Sequence, residues 1–254
     1  MKEYIIPKNR FSGFYHFGEV SSTMDKAIEF IEKGVNRGIV VADLQSGGYG
    51  RNGKSWFSPD NGNLYLSFFE KLDRSEPLNL IPQRIALSAQ MAVKKFVDTG
   101  NISIKWPNDI LADMNKCAGI IAKTVQRGVD RFYVCGIGIN VFMPETTLFE
   151  HNWKVGALNE YVPDITTEAV LAELIRTLDT FFEMNETQIK EKYVSEISWM
   201  TDRSITYTIN GTDLETGTVT GFSNNGSAIK IINNSEVLEI SAASIIRIFS
   251  NNPE

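Results

Sequence analysis

Residues 42–59 read ADLQSGGYGRNGKSWFSP, and this stretch decides how the rest of the chain is read. Four glycines, Gly47, Gly48, Gly50 and Gly53, stand within seven residues, with Arg51 and Lys54 beside them and Trp56 just beyond. The apolar run 38–42 (GIVVA) leads into it. Glycine lets backbone N–H groups turn toward an anion and approach it closely. Arg51 and Lys54 add charge-assisted donors. A loop of this kind suits a phosphate or an adenylate; the alternative is a mobile surface loop.

Working outward, the sequence predicts a helix over 23–33, with Ala27, Ile28 and Ile31 on one face and Ser21, Ser22 and Thr23 as caps. Residues 63–69 read as a strand. Ile81, Ile85, Ala89, Ala92 and Phe96 recur at helical spacing, and Gly100 can end that helix. Apolar runs at 102–105, 109–112, 117–125 and 132–142 follow, separated by turn signals at Met114-Asn115 and at 128–130. The expectation is an α+β fold, a mostly antiparallel or mixed sheet with helices packed on it. Residues 164–184 and 188–197 read as helices. Past Asp202 short β-rich runs alternate with Asn-Gly, Asn-Asn-Gly and Asn-Asn-Ser turns, which predicts a small all-β barrel. The predicted domains are 1–202 and 203–254.

The 254 residues suffice for one large domain and a small one, and 43% hydrophobic content supports a buried core. A net charge of −6 disfavours wholesale nucleic-acid binding. The start, MKEYIIPKNRF, is no signal peptide, and no run approaches the roughly 20 apolar residues of a membrane span. Cys117 and Cys135 sit in apolar, strand-like runs. They read as buried thiols in a reducing cytoplasm.

Four further motifs matter: SSTMD at 21–25, IKWPNDIL at 104–111, KCAGII at 116–121 and GIGINV at 136–141. With the glycine-rich loop they stand in the order seen in biotin protein ligases, and the chain resembles that family from about Phe14 onward. The family's GxGRxG loop stands at 48–53, its KWPND at 105–109 and its K-x-x-G-I at 116–120. The resemblance is to the short form without an N-terminal helix-turn-helix domain, since the motifs begin at Ser21. It implies a ligase-like catalytic domain followed by an SH3-like one, ATP and magnesium as cofactors, and biotin and a biotin carboxyl carrier domain as partners. DNA and membranes are not expected partners; a homodimer is an open expectation.

Acyl-adenylate formation joins two anions and needs cations converging on one point. Arg51, Lys54, Lys105 and Lys116 are the available set. The resemblance places Lys116 between the biotin carboxylate and the α-phosphate, with Arg51, Lys105 and Asp109 as the other expected catalytic residues. Asp109 can orient a lysine, help hold magnesium, assist deprotonation of the acceptor lysine, or cap a turn. No metal ligands are assigned. Ser22, Thr23 and Gln45 are neutral hydrogen-bonding groups suited to biotin's ureido end, and Ser22 and Thr23 can equally cap a helix. Gly48, Tyr49, Gly50, Lys116 and Gly119 complete the expected biotin set. Arg51, Lys54, Trp56, Asn108, Lys116, Asn140 and Trp153 form the expected nucleotide set. Gly136 and Gly138 allow close backbone approach. Trp106 is either core or pocket wall. Tyr49 and Asn52 depart from the family, which often has basic residues there, so biotin contacts from this loop are expected mainly from backbone. Segments 47–55 and 142–156 are expected to be mobile until ligand orders them.

Two other readings compete. A lipoate ligase or octanoyltransferase of the same superfamily would use a cysteine with a lysine, but adjacent Lys116 and Cys117 point to opposite faces of a strand. A non-catalytic biotin- or nucleotide-binding sensor would lack cations that are present here.

Overall fold

The apolar run before the glycine-rich loop is one strand of a seven-stranded sheet. Its strands are β1 (Phe14–Val20), β2 (Arg37–Gln45), β3 (Leu64–Lys71), β4 (Ile102–Lys105), β5 (Asp109–Ala112), β6 (Asn115–Arg127) and β7 (Asp130–Ile139), in the order β1-β2-β3-β7-β6-β5-β4. The structure is a computed structural model that describes residues 9–11, 13–59, 62–73, 78, 80–97, 101–143, 155–209, 212–245 and 247–250. The chain divides into two compact units, Met1–Ile104 with Asn108–Glu183 and Lys105–Pro107 with Met184–Glu254.

In the first unit β1 runs parallel to β2, while β2–β3, β3–β7, β6–β7 and β5–β6 are antiparallel. The sheet is therefore mixed, as expected. The tight link between β5 and β6 uses Asp113 and Met114, both at positive φ (45° and 67°), the geometry of a type I′ hairpin turn. Helix α1 (Thr23–Glu32) starts where Ser22 Oγ accepts from the Met24 N–H, a cap typically worth about 1 kcal/mol. Its buried face, Met24, Ala27 and Ile31, packs with Val40, Phe69, Phe132 and Val134 of the sheet. Tyr133 alternates with Val134 and so points to the other face, where its ring stacks on Phe182 at 6.0 Å. Phe182 belongs to α3 (Thr167–Glu183), which therefore covers the side opposite α1. Helix α2 (Leu80–Phe96), with Pro82 tolerated in its first turn, packs beside α3 through a Thr177 Oγ1 donation to Ser88 O at 2.9 Å.

The second unit holds α4 (Glu186–Ile197) and an antiparallel sheet of five strands, β8 (Ser204–Thr208), β9 (Glu215–Phe222), β10 (Ala228–Asn233), β11 (Glu236–Ser241) and β12 (Arg247–Ser250), in the order β11-β10-β9-β8-β12. Ile205, Tyr207, Val219, Ile229 and Ile231 form its core. Trp106 belongs to this core: it is 1% exposed, its Nε1 donates to Gly226 O at 2.9 Å, and its ring lies near Phe222. The contact division falls after Glu183, whereas the boundary expected from sequence texture lies at 202. The texture change marks where strands begin, at Ser204.

Candidate active site

A chain of short polar contacts ties the N-terminus of α1 to the glycine-rich segment. Ser67 Oγ lies 2.8 Å from Thr23 Oγ1. Thr23 donates to Gln45 Oε1 from its backbone N and its Oγ1, at 2.8 and 3.1 Å. Gln45 Nε2 donates to Ser58 Oγ at 3.0 Å, and Ser58 Oγ donates to Trp56 O at 3.0 Å. Ser22 and Thr23 are each 2% exposed, so both the cap and the network are sheltered from water. The expected capping and polar-lining roles thus meet in one place. Ser58 and Ser67 were not anticipated; Ser67 is signalled only as the lone hydroxyl in the apolar run LYLSFF.

The glycine-rich segment itself is a short β-hairpin. Tyr49 pairs with Ser55, Trp56 N donates to Gly48 O, and Gly50 N donates to Lys54 O at 2.7 Å. Its tip, Arg51–Gly53, turns through Asn52 at φ 57° and Gly53 at φ 70°. Gly48 has no room for a side chain, since a Cβ would lie 2.7 Å from Ser58 Oγ and 2.8 Å from Gln45 Nε2. Arg51 Nη1 donates to Asn108 Oδ1 at 3.2 Å, and Asn108 Nδ2 donates to Ile120 O at 2.8 Å. Asn108 thus fastens the tip to β6. Lys54 is exposed.

Lys116 and Gly119 lie three apart on β6, a spacing that puts two side chains on opposite faces of a regular strand. Here the register shifts: Leu111 pairs with Lys116, and Ile110 pairs with Ala118, leaving Cys117 as the extra residue of a bulge. The bulge returns Lys116 to the face of Gly119, so that a Cβ on Gly119 would lie 3.2 Å from Lys116 Cε. Gly119 pairs directly with Gly138 on β7. Together they make a flat floor on which the Trp56 indole lies: a Cβ on Gly138 would be 2.4 Å from Trp56 Nε1, and one on Gly119 2.7 Å from Trp56 Cζ3. The glycines are there to admit a ring, not to bend the chain.

At the rim of this floor Lys116 Nζ sits 2.6 Å from Asp109 Oδ1, an ion pair with each side chain about three-quarters sheltered. The pair is an ionic contact outside hydrogen-bond angles. Lys116 Nζ also stands 5.1 Å above the Trp56 ring centroid, an attraction worth about 0.5–2 kcal/mol. Against that, Trp56 Nε1 is buried without a hydrogen-bond partner, which costs about 1–3 kcal/mol. These two polar terms nearly cancel, so the indole is held on the floor by packing.

Asn140 was expected to face nucleotide. It is 3% exposed, and its Nδ2 donates to Gly156 O at 3.1 Å and Lys116 O at 3.4 Å. Gly156 N in turn donates to Lys116 O, and Val155 bridges to Lys116. Asn140 therefore pins the returning end of the segment after β7 to the catalytic-candidate strand. Trp153 and most of segment 142–156 lie outside the described residues. Lys105 ends β4 and groups by contacts with the second unit. Among the described residues no three His, Cys, Asp or Glu side chains gather as a metal site.

Both cysteines are free and buried, as expected. Burial pushes the Cys117 thiol up to about 12, with Asp109 adding to the rise and Lys116 opposing it. Burial raises Cys135 as well. A thiol so displaced supplies no thiolate near neutral pH.

Residues 17–140 match the model of the Biotin/lipoate A/B protein ligase family. The bifunctional ligase/repressor BirA of Escherichia coli is 33% identical over 159 residues, 61% of this chain and 49% of that protein. BirA of Bacillus subtilis is 36% identical over 127 residues, 48% of this chain and 38% of that protein. The chain thus spans about half or less of the length of these relatives. Among solved structures, the biotin protein ligase from Aquifex aeolicus in complex with biotin and ATP superposes with a TM-score of 0.74 at 26% identity, covering 95% of this chain and 100% of that one. The hairpin, the Lys116–Asp109 pair and the glycine floor all fall within the segment that matches this family model.

Proposed function

We propose that the chain is a biotin protein ligase acting in the cytoplasm. It joins biotin and ATP into biotinyl-5′-adenylate, then passes the biotinyl group to one lysine of a biotin carboxyl carrier protein. The observation that carries this reading is Lys116, turned by the Cys117 bulge onto the face of the Gly119–Gly138 floor and paired there with Asp109. In the first step a biotin carboxylate oxygen forms a bond to the α-phosphorus, and the α–β bridging bond breaks to release pyrophosphate. Both reactants are anions, and the Lys116 ammonium lowers their repulsion as they close. Asp109 orients Lys116 beforehand. Arg51 and Lys105 supply further positive charge, and magnesium arrives as part of the substrate MgATP. In the second step the carrier ε-amine bonds to the acyl carbon, the acyl–phosphate bond breaks, AMP leaves, and Asp109 is placed to take the proton released by nitrogen.

Within this reading Ser22, Thr23, Gln45, Gly119 and the backbone of 48–50 receive biotin, while Lys54, Trp56, Asn108, Asn140 and Trp153 serve the nucleotide side. Gln45 already accepts two hydrogen bonds from Thr23, so a ureido group entering there trades one neutral network for another. No helix among the described residues is long and apolar enough to cross a membrane. A transferase using a cysteine nucleophile is disfavoured by the buried, protonated Cys117. The kinship with the ligase/repressor BirA and with a biotin protein ligase supports biotin over lipoate.

The test is transfer. Purified chain, MgATP and a carrier domain are incubated with biotin or with lipoate, and the carrier is weighed by mass spectrometry. Gain of one biotinyl group, with no lipoyl gain, is expected. Preference for lipoate, or no transfer, sinks the proposal.

A further inference from the structure

The hairpin is also fastened at a second point, away from the tip. Tyr49, on its first limb, donates from its hydroxyl to Asp25 Oδ1 at 2.8 Å. Lys123 Nζ donates to the same hydroxyl oxygen at 2.8 Å and stands 5.2 Å from the Tyr49 ring centroid. Lys123 Nζ and Asp25 Oδ1, 3.9 Å apart, close the triangle. A phenol has one hydrogen to give and lone pairs to receive, and both capacities are used here. Each partner comes from a different element. Asp25 lies in the first turn of α1, next to the capped Ser22–Thr23 corner, and Lys123 lies on β6. Alternation from Gly119 through Ile121 places Lys123 on the floor's own face, about 13 Å farther along the strand. The Tyr49 ring packs against the apolar cluster of Met24, Ala27 and Val134.

We propose that Tyr49, Asp25 and Lys123 form a latch that holds the glycine-rich hairpin down along β6, and that the latch sets how long the activated intermediate is retained. Tyr49 is in this sense a positioning residue: it acts on the hairpin, and through it on Trp56 and Arg51. The consequence for the intermediate rests on the reading of this site as adenylate-forming; the closure of the hairpin does not. Asp25 is 50% exposed and Lys123 36%, so the ionic contribution is screened and the latch is weak. A weak latch is what a hairpin that must open each turnover requires.

The ligand-free full chain is tested by limited trypsin digestion, following cleavage after Arg51 and Lys54 at the hairpin tip. Tyr49→Phe keeps the ring packing and removes both hydrogen bonds. It is expected to raise the cleavage rate roughly two- to fivefold with an unchanged melting temperature. Lys123→Gln, on an exposed side chain, is expected to do the same, Lys123→Arg to restore the parent rate, and the Tyr49→Phe/Lys123→Gln pair to add little beyond either alone. Release of preformed biotinyl-adenylate should quicken by a similar factor. Unchanged cleavage in both single variants overturns the latch. Faster cleavage with unchanged release overturns its role in retention. If the parent chain forms no adenylate at all, the proposed function fails, while the cleavage arm still judges the latch.

Discussion

Gly53 and Gly138 stand in the same site and answer different demands. At Gly53, φ is 70° and a Cβ would meet nothing within 4 Å, so the requirement is conformational. At Gly138 the backbone is ordinary strand and a Cβ would stand 2.4 Å from Trp56 Nε1, so the requirement is space. Gly50 answers neither: its φ of −107° is open to any residue, and the nearest atom to a Cβ is 3.7 Å away. A motif written GxGRxG treats its glycines alike, whereas the fold ranks them. Gly48 inside the motif and the floor glycines outside it both answer to space, and Gly138 has the least of it.

That ranking can be broken by substitution. Gly138→Ala should have the largest effect. The added methyl meets a rigid indole, not a flexible chain end, and it projects into the surface proposed to receive biotin. Adenylate formation is expected to fall at least about a hundredfold, equivalent to ~2.7 kcal/mol of barrier. Melting should shift little, because the displaced indole can move toward solvent. Normal turnover in this variant would mean that the floor is not used. Gly53→Ala should cost less, on the order of 1 kcal/mol from the strained left-handed backbone at the hairpin tip, seen as a few-fold rise in tip proteolysis. Gly50→Ala should cost least of the three, within about twofold on either readout. If Gly50→Ala proved as damaging as Gly138→Ala, the space argument would fail.

The cysteines sharpen the same contrast between open surface and packed floor. Cys117, the extra residue of the bulge, is folded inward while its neighbour Lys116 turns out. Iodoacetamide is expected to leave it unmodified in the folded chain at pH 8. Its pKa is raised on folding from 9.0 to about 12, so its contribution to stability is full below about 9 and is lost as pH climbs toward about 12. Denaturation midpoints falling over that window in the parent, and less in Cys117→Ala, would confirm the sign. Rapid alkylation of the folded chain would revive the cysteine-transferase reading.

Much of this was legible in the chain. The apolar runs expected as strands at 63–69, 102–105, 109–112, 117–125 and 132–142 and in the C-terminal β region, with the helices at 23–33, 164–184 and 188–197, all find counterparts within a few residues. β1 was not anticipated, because FYHFGEV carries aromatics on both faces and shows no alternation, as suits an edge strand paired on one side. β12 lies at the end of a chain whose turn signals had run out. The K-x-x-G spacing was visible as a motif, but its physical reason was not. A bulge is a relation between two strands, and one strand's sequence does not announce it. Lys123 and Ser58 were missed for the same reason: each gains its meaning only when hairpin, helix and β6 come together. Asn140 was singled out for nucleotide contact, and its side chain proves to pin Gly156 and Lys116, an interaction formed by residues distant in sequence.

The proposed chemistry turns on Lys116. In a single-turnover experiment the chain is mixed with biotin and MgATP, quenched at intervals, and the bound adenylate is weighed. The parent is expected to accumulate biotinyl-5′-adenylate, and Lys116→Ala to do so at least about a hundredfold more slowly, with an unchanged melting temperature. Equal rates in the two proteins, or accumulation of a lipoyl adenylate in place of the biotinyl one, would contradict it.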